Sequence, residues 1–175
     1  MRRVGFARYN VIIMSDTKVQ IRRPKKRELP ALEKMFVQAV RHHFAYFPEH
    51  YQREIIRQNN LSRLALATLN PRRPIFVAAE YRRLLGYVIA GQSGGEGHIF
   101  WLFVLPDSRG QNLGLKLLSR ALRQLELQGA KAVVLNTHDH EDYYRRQGFK
   151  TGERWILHEV PVTMMSLNLG ATDGG

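Results

Sequence analysis

The 175-residue sequence has no cysteine, no long apolar run and few acidic residues. Without cysteine it can form no disulfide, thiol nucleophile or Cys-based metal site, and we interpret this as favouring a reducing, cytoplasmic location. No apolar run approaches the ~18 residues of a membrane-spanning helix, so we expect no membrane partner. The apolar run within residues 1–14 is also too short for a signal peptide.

The scarcity of acidic residues leaves a strong positive charge. Lys and Arg number 27 against 15 Asp and Glu, a formal net charge of +12. Such a field attracts polyanions such as RNA or ribosomes. The alternative is that the charge serves only solubility and the steering of an anionic small molecule, since no known aromatic-basic nucleic-acid motif is present.

The length suits one domain, and the 44% apolar share allows a sizeable core. Met14 resembles a second start site, so we predict a loose extension over residues 1–14, one domain over 15–170 and a tail over 171–175. The sequence is compatible with either a monomer or a homodimer.

Residues 98–125 contain the most informative pattern in the chain. The apolar run Ile99–Leu105 predicts a buried strand, which Pro106–Ser108 ends. A basic, glycine-bearing turn, Arg109–Gly114, follows. Leucines at helical spacing then predict a helix: Leu115, Leu118, Leu122 and Leu125. This order offers free helix N–H groups to a phosphate. The alternative is that the turn only connects the strand to the helix and binds no ligand.

Two motifs resemble the Gcn5-related N-acetyltransferase (GNAT) superfamily. Arg109 and Gly114 match the first and last positions of that family's motif A, while Asn112 stands where its first glycine usually lies. Asn tolerates a left-handed backbone, so the turn can persist. Downstream, Tyr144 is followed by three residues and then Gly148-Phe149, as in the family's second motif.

The resemblance implies an α/β (α+β) fold: a mixed, mostly antiparallel sheet with helices on both faces and a fourth strand splayed from the fifth. It also implies an acetyl-CoA-dependent N-acetyltransferase acting on a small-molecule or peptide amine, with no metal cofactor. The implied cofactor-binding residues are Phe103, Val104, Leu105, Arg109, Gly110, Gln111, Asn112, Leu113, Gly114, Leu115, Asn136 and Tyr144. The alternative is a degenerate GNAT-fold module that binds RNA or another polyanion.

Along the rest of the chain, helical and strand patterns alternate in the order of that fold. Leu29 opens a helix, and a second helical region covers residues 49–69 with a bend at Asn59-Asn60. Strands are predicted at residues 18–23, 74–80, 84–90, 131–136, 154–157 and 162–169, and a flexible loop at 92–97.

Tyr144 is the predicted general acid, because a phenol beside the sulfur can protonate a departing thiolate; the alternative is that it only packs there. The general base is less defined. His98 lies near the start of the fourth strand, where many family members carry Glu, and Glu96 is a weaker candidate. In the third alternative the amine loses its proton to bulk water.

Residues 137–141, Thr-His-Asp-His-Glu, have the composition of a metal site. We favour a polar loop that leads into a helix, and predict no metal. The acceptor surface of this family is formed by its first two helices and last strands. Six residues there are aromatic or imidazole and form either an acceptor wall or ordinary core: Phe44, Tyr46, Phe47, Tyr51, Trp155 and His158.

Overall fold

A computed structural model describes residues 19–170; the predicted extension over residues 1–14 and the tail over 171–175 lie outside these residues. Seven strands are formed: β1 (Val19–Arg22), β2 (Ile75–Glu80), β3 (Arg83–Ser93), β4 (Glu96–Val104), β5 (Ala132–Thr137), β6 (Lys150–Leu157) and β7 (Val160–Asn168). The α-helices of the described chain are α1 (Leu29–His43), α2 (Glu49–Gln58), α3 (Leu61–Leu69), α4 (Leu113–Leu127) and α5 (Glu141–Arg146).

The strands form one sheet in the order β1-β2-β3-β4-β5-β7-β6. All neighbouring pairs are antiparallel except β4 and β5, which are parallel. These two strands pair only from Glu96–His98 to Ala132–Val134 and then separate. The mixed sheet, its flanking helices and the splay of β4 from β5 confirm the predicted fold.

The sheet has two apolar faces, and a separate helix layer covers each. On the first, which we call the α1 face, Leu32, Phe36 and Val40 of α1 are fully buried at helical spacing against Tyr87. On the second, the α4 face, helix α4 buries one stripe of side chains: Leu113, Leu117, Leu118, Ala121, Leu122 and Leu125. Leu115, which was predicted in that stripe, is only half-buried, and Leu117 takes its place in the core.

Two segments differ most from the sequence prediction, and β6 begins at Lys150 rather than at residue 154. Residues 49–69 form two separate helices, because Asn60 leaves the helical conformation and its side chain accepts a hydrogen bond from the Arg63 N–H at 3.0 Å, which begins α3. The predicted loop 92–97 is a tight hairpin in which only Gly94-Gly95 turn, so that Glu96 and Gly97 belong to β4. No helix of residues 19–170 has the length and apolarity needed to cross a bilayer.

Candidate functional site

The gap between β4 and β5 exposes backbone amides that have no neighbouring strand. The Leu105 N–H donates to the Leu85 carbonyl of β3 at 2.9 Å. Successive amides of a strand point to opposite edges, so the N–H groups of Val104 and Leu102 face the gap. An extended ligand could therefore pair with this edge of β4 as an added strand.

A β-bulge lies where the splay begins. Ile89 of β3 pairs with Trp101, but the next residue, Ala90, pairs with Ile99, so Phe100 has no partner in the register. Such an extra residue bends a strand and increases its twist. The bulge thus turns the second half of β4 away from β5.

The loop before α4 has two residues in the left-handed region of backbone space. Gly110 has a φ of 80° and Asn112 a φ of 57°, while Arg109 is extended. The second value confirms that Asn112 adopts the conformation expected of a glycine. Backbone conformations of this kind point successive N–H groups into one concavity, which binds anions. The loop leads directly into the free N–H groups at the start of α4.

The first turn of α4 packs closely against α5 at Gly114. A Cβ atom at Gly114 would lie 3.0 Å from the hydroxyl oxygen of Tyr143, so a larger residue would displace that ring. The Tyr143 hydroxyl is buried and has no hydrogen-bond partner among the described residues, and burial raises its pKa to about 12. Of the other predicted loop residues, Gln111 is exposed and Leu113 is buried in the core.

Tyr144 lies on α5, the helix that follows β5. Its ring packs edge-on against Phe149 at 5.7 Å and Tyr143 at 5.0 Å between centroids. Burial, followed by the neighbouring phenols of Tyr143 and Tyr46, raises the pKa of Tyr144. The phenol is therefore protonated at neutral pH and can donate a proton or a hydrogen bond.

On the α1 face, a chain of aromatic contacts spans the gap from β4 to β5. Trp101 of β4 contacts Phe44 at 5.3 Å, Phe44 contacts Tyr46 at 6.2 Å, and Tyr46 contacts His138 at 4.5 Å between ring centroids. We call these four residues the aromatic bridge. Burial and the Asp139 carboxylate raise the pKa of Tyr46 to about 12.

The remaining members of the predicted aromatic wall divide between core and surface. Phe47 is buried and Tyr51 is half-buried, whereas Trp155 is 53% exposed. Tyr51 stacks on His158, 3.7 Å between centroids, and so joins α2 to the β6–β7 turn.

A polar side chain from α1 also lies beside the end of β4 that is separated from β5. The ring of His43, at the end of α1, lies 5.2 Å from that of Phe103. Burial, then the nearby positive charges of Arg109 and His42, lowers the pKa of His43. Phe103 itself is buried, which leaves only its backbone to a ligand, and Leu105 is half-buried.

The predicted bases lie at the closed end of the gap. His98 is opposite Val134, in the last residue pair before β4 and β5 separate. Its Nε2 atom is 3.5 Å from Glu96 Oε1, and its ring stacks on Phe100 at 5.9 Å. Asn136 is exposed on β5, two residues beyond Val134 and on the same side of the strand.

The side chains of residues 137–141 are engaged in separate structural contacts. Thr137 Oγ1 accepts from the His140 N–H at 3.2 Å, and the Nδ1 atom of His138 lies 2.8 Å from the Pro161 carbonyl oxygen. Glu141 accepts from the Thr163 hydroxyl at 2.7 Å and from Arg154 at 3.1 Å. In residues 19–170, no three His, Asp or Glu side chains converge to hold a metal ion.

Two contributions escaped the sequence prediction. Tyr143 was not among the predicted site residues, yet its hydroxyl lies against Gly114; Tyr46 was predicted to belong either to an acceptor wall or to the core, yet it contacts His138 just after β5. No spacing rule connects these positions, because they meet only through the tertiary fold.

Comparisons with known proteins converge on one family. Residues 71–151 match the sequence profile of the acetyltransferase (GNAT) domain. An uncharacterized N-acetyltransferase of Schizosaccharomyces pombe is 33% identical over 97 residues, which cover 51% of this chain and 60% of that protein. The chain thus spans less than two thirds of that relative's length.

Two solved structures are similar in fold across most of the chain. The PaiA N-acetyltransferase of Thermoplasma acidophilum in complex with coenzyme A superposes with a TM-score of 0.71 at 17% identity, covering 89% of this chain and 99% of that one. The yncA protein of Salmonella typhimurium with acetyl-CoA gives a TM-score of 0.71 at 22% identity, covering 91% and 98%.

Proposed function

We propose that this chain, whose residues 71–151 match the GNAT domain, is an acetyl-CoA-dependent N-acetyltransferase of the GNAT superfamily that transfers an acetyl group to a primary amine by direct attack on the thioester. The observation that carries this proposal is the separation of β4 from β5 beside a loop with two left-handed residues, and the raised pKa of Tyr144 on α5 supports it. These features match the polyanionic, amide-bearing form of acetyl-CoA.

The backbone of β4 and of the loop would hold the donor. We assign the pyrophosphate to the N–H groups of residues 109–115, where the left-handed Gly110 and Asn112 shape the concavity. The pantetheine amides would pair with the backbone of residues 103–105, and the Val104 N–H would polarise the thioester carbonyl. Removing one such donor costs on the order of 3 kcal/mol of transition-state stabilisation in other enzymes.

Side chains would carry the proton transfers. Tyr144 is the proposed acid for the departing thiolate, and its raised pKa supports this because the phenol stays protonated. His98, with Glu96 as the weaker alternative, remains the base predicted from sequence. Asn136 is a proposed cofactor contact from the open face of β5.

The acceptor would enter from the α1 face, between α1, the aromatic bridge and β7. Tyr46, 37% exposed, and the exposed His43 border this entrance. An acceptor with an apolar or planar portion suits such a lining, and both small-molecule and peptide amines fit that description. The monomer and homodimer alternatives, and the cytoplasmic location, remain predictions from the sequence.

The decisive experiment measures acetyl-CoA binding by calorimetry and thiol release with a panel of amines. Gly110→Val should abolish binding, because valine strongly disfavours the positive φ that shapes the loop. Gly129→Val is the matched control, since Gly129 has a φ of 87° and equally open surroundings at the far end of α4. Absence of acetyl-CoA binding by the wild-type protein would refute the proposal, as would equal binding by both variants.

A second candidate function, polyanion binding by a degenerate fold, is favoured by one surface cluster. The guanidinium groups of Arg23 and Arg120 lie 5.8 and 4.3 Å from the centroid of Phe76, and Arg123 is close by. Partial burial, then the charges of Arg123 and Arg23, lowers the pKa of Arg120. Among the described residues no carboxylate forms an ion pair with these three arginines.

An RNA gel shift at increasing salt tests this candidate. Binding that weakens with salt and is reduced by Arg120→Gln, but less by Arg63→Gln elsewhere on the surface, would support it. Equal effects of the two substitutions would indicate nonspecific attraction by the net charge. Such binding without acetyl-CoA binding would favour the degenerate module over the enzyme.

A further inference from the structure

The tautomer of His138 is determined by its surroundings. The Nδ1 atom lies 2.8 Å from the carbonyl oxygen of Pro161. A carbonyl oxygen only accepts hydrogen bonds, so Nδ1 must carry the proton. In the neutral ring the lone pair is therefore on Nε2, which can accept a proton from a ligand.

The ring is also held in place from the opposite side of the gap. Tyr46, on the loop between α1 and α2, packs on His138 at 4.5 Å with an interplanar angle of 32°. Pro161 is on β7, so two different elements fix the orientation of the imidazole. An oriented imidazole with one protonated nitrogen is the usual arrangement of a general base.

His138 lies at the same end of the gap as the proposed acid. Tyr144 is on α5, which begins at Glu141, three residues after His138, and its backbone N–H donates to the His140 carbonyl at 3.3 Å. His98, in contrast, is opposite Val134, four residues before His138 along β5. At 3.3 Å per residue, that offset is up to about 13 Å. A base must approach the proton that it removes to about 3 Å, or through one water.

We infer that His138, rather than His98, is the general base that deprotonates the acceptor amine. The inference rests on the proposed function and adds a catalytic residue to it.

The proton balance of the reaction is as follows. Nε2 of His138 takes one proton from the acceptor ammonium, and the neutral amine forms the new C–N bond at the thioester carbon. The C–S bond breaks, Tyr144 gives its proton to the thiolate, and the surplus proton on nitrogen restores the phenol. His138 releases its proton to solvent, so that one proton is lost for each acetyl group transferred.

His138→Asn is the sharpest variant, because the Asn amide nitrogen can replace Nδ1 as donor to Pro161 but offers no base. We expect kcat/KM at pH 7 to fall about 100-fold with the best amine of the panel. Acetyl-CoA affinity and Tm should stay near wild type. The acidic limb of the pH profile should move to the pKa of the amine itself, so that activity recovers at alkaline pH. A merely structural role would not produce this recovery.

Few groups face His138 in the described part of the chain, which simplifies the pH profile of kcat/KM. Tyr46 approaches from the loop after α1, the Pro161 carbonyl from β7, and Asp139 is the next residue. His98→Gln is the rival variant, and His140→Gln is the surface control, since the His140 side chain is 69% exposed. His140→Gln should retain kcat/KM within threefold, whereas His98→Gln should keep the wild-type acidic limb of the pH profile.

Nitrogen-15 NMR of the ring gives a readout that needs no acceptor. It should show Nδ1 protonated and Nε2 unprotonated in the neutral imidazole. A protonated Nε2 would overturn the inference, as would a wild-type acidic limb in His138→Asn or a limb lost in His98→Gln instead. If acetyl-CoA does not bind at all, the proposed function fails, while the NMR result still decides whether His138 is poised as a base.

Discussion

The two sides of the gap are constructed differently. On the β1–β4 side, strands β2 and β3 are buried along nearly their whole length between α1 and α4. On the β5–β7 side, β6 has exposed residues everywhere except at Leu157, and the six-residue helix α5 has no buried residue. The first side offers a ligand mainly backbone amides, and the second offers side chains such as Tyr144 and His138.

This difference indicates how the site tolerates substitution. A backbone donor keeps its position when its own side chain changes, provided that the strand stays in the sheet. A side-chain donor is lost with the residue that bears it. We therefore expect substitutions on the β1–β4 side to lower stability more than activity. Substitutions on the β5–β7 side should lower activity more than stability.

The largest expected effect is on catalysis at Tyr144. Tyr144→Phe should lower kcat by about 1000-fold, equivalent to about 4 kcal/mol, because no proton donor would remain beside the sulfur. Val104→Ala, across the gap, should change kcat less than threefold because its N–H is kept. Steady-state kinetics with calorimetric control of acetyl-CoA binding test the pair, and equal losses would contradict the proposed division between backbone and side chain.

Substitutions that test stability should show the opposite order, with the larger loss on the β1–β4 side. Leu117 of α4 is fully buried, so Leu117→Ala should lower the free energy of unfolding by about 3 kcal/mol. Trp155→Ala on β6 should change it by less than about 0.5 kcal/mol, because half of that ring is already exposed. Urea denaturation measures both. A larger loss at Trp155 would show that β6 has an apolar partner in solution.

A smaller, pH-dependent effect is expected at the end of β1. Arg22 donates two hydrogen bonds of 2.8 Å to Glu28, and these lower the pKa of Glu28 from 4.5 to about 2. Because the folded pKa is depressed, the pair stabilises the protein above pH 4.5, and this stabilisation is lost as pH falls through about 2.

Glu28→Gln should accordingly lower Tm at pH 7 and have little effect near pH 2. Glu54→Gln on exposed α2 is the control for loss of a carboxylate. Thermal unfolding of the three proteins across this range checks the sign, and a deficit that persists unchanged at pH 2 would rule out the ion pair as its origin.

The smallest expected effect is that of replacing Asn112 with glycine. Asn112 already adopts a φ of 57°, so Asn112→Gly should keep that conformation and change acetyl-CoA affinity less than threefold. Asn112→Val should weaken binding tenfold or more, since a branched residue disfavours positive φ. Calorimetry with acetyl-CoA decides between them, and equally weak binding by both variants would mean that the Asn side chain itself contacts the ligand.

Much of this architecture could be predicted from local patterns. The apolar run before Pro106 and the leucine spacing after Gly114 predicted β4, the loop and α4 in the right order. The separation of residues 49–69 into two helices was only partly predicted, because a bend and a break share the same Asn-Asn signal. The start of β4 at Glu96 was missed, since paired glycines suggest a longer loop than the two-residue turn that forms.

The sequence alone indicated the resemblance to the GNAT family, the order of elements and the loop before α4, because these depend on short-range spacing and backbone preference. The tertiary structure alone decided which side chains meet across the gap. Tyr46, Pro161 and His138 come from three distant segments, and their contacts arise only when the antiparallel β5–β7 pair brings its end beneath the loop after α1. Contacts between distant segments depend on how sheets and helices pack, which no single stretch of sequence encodes.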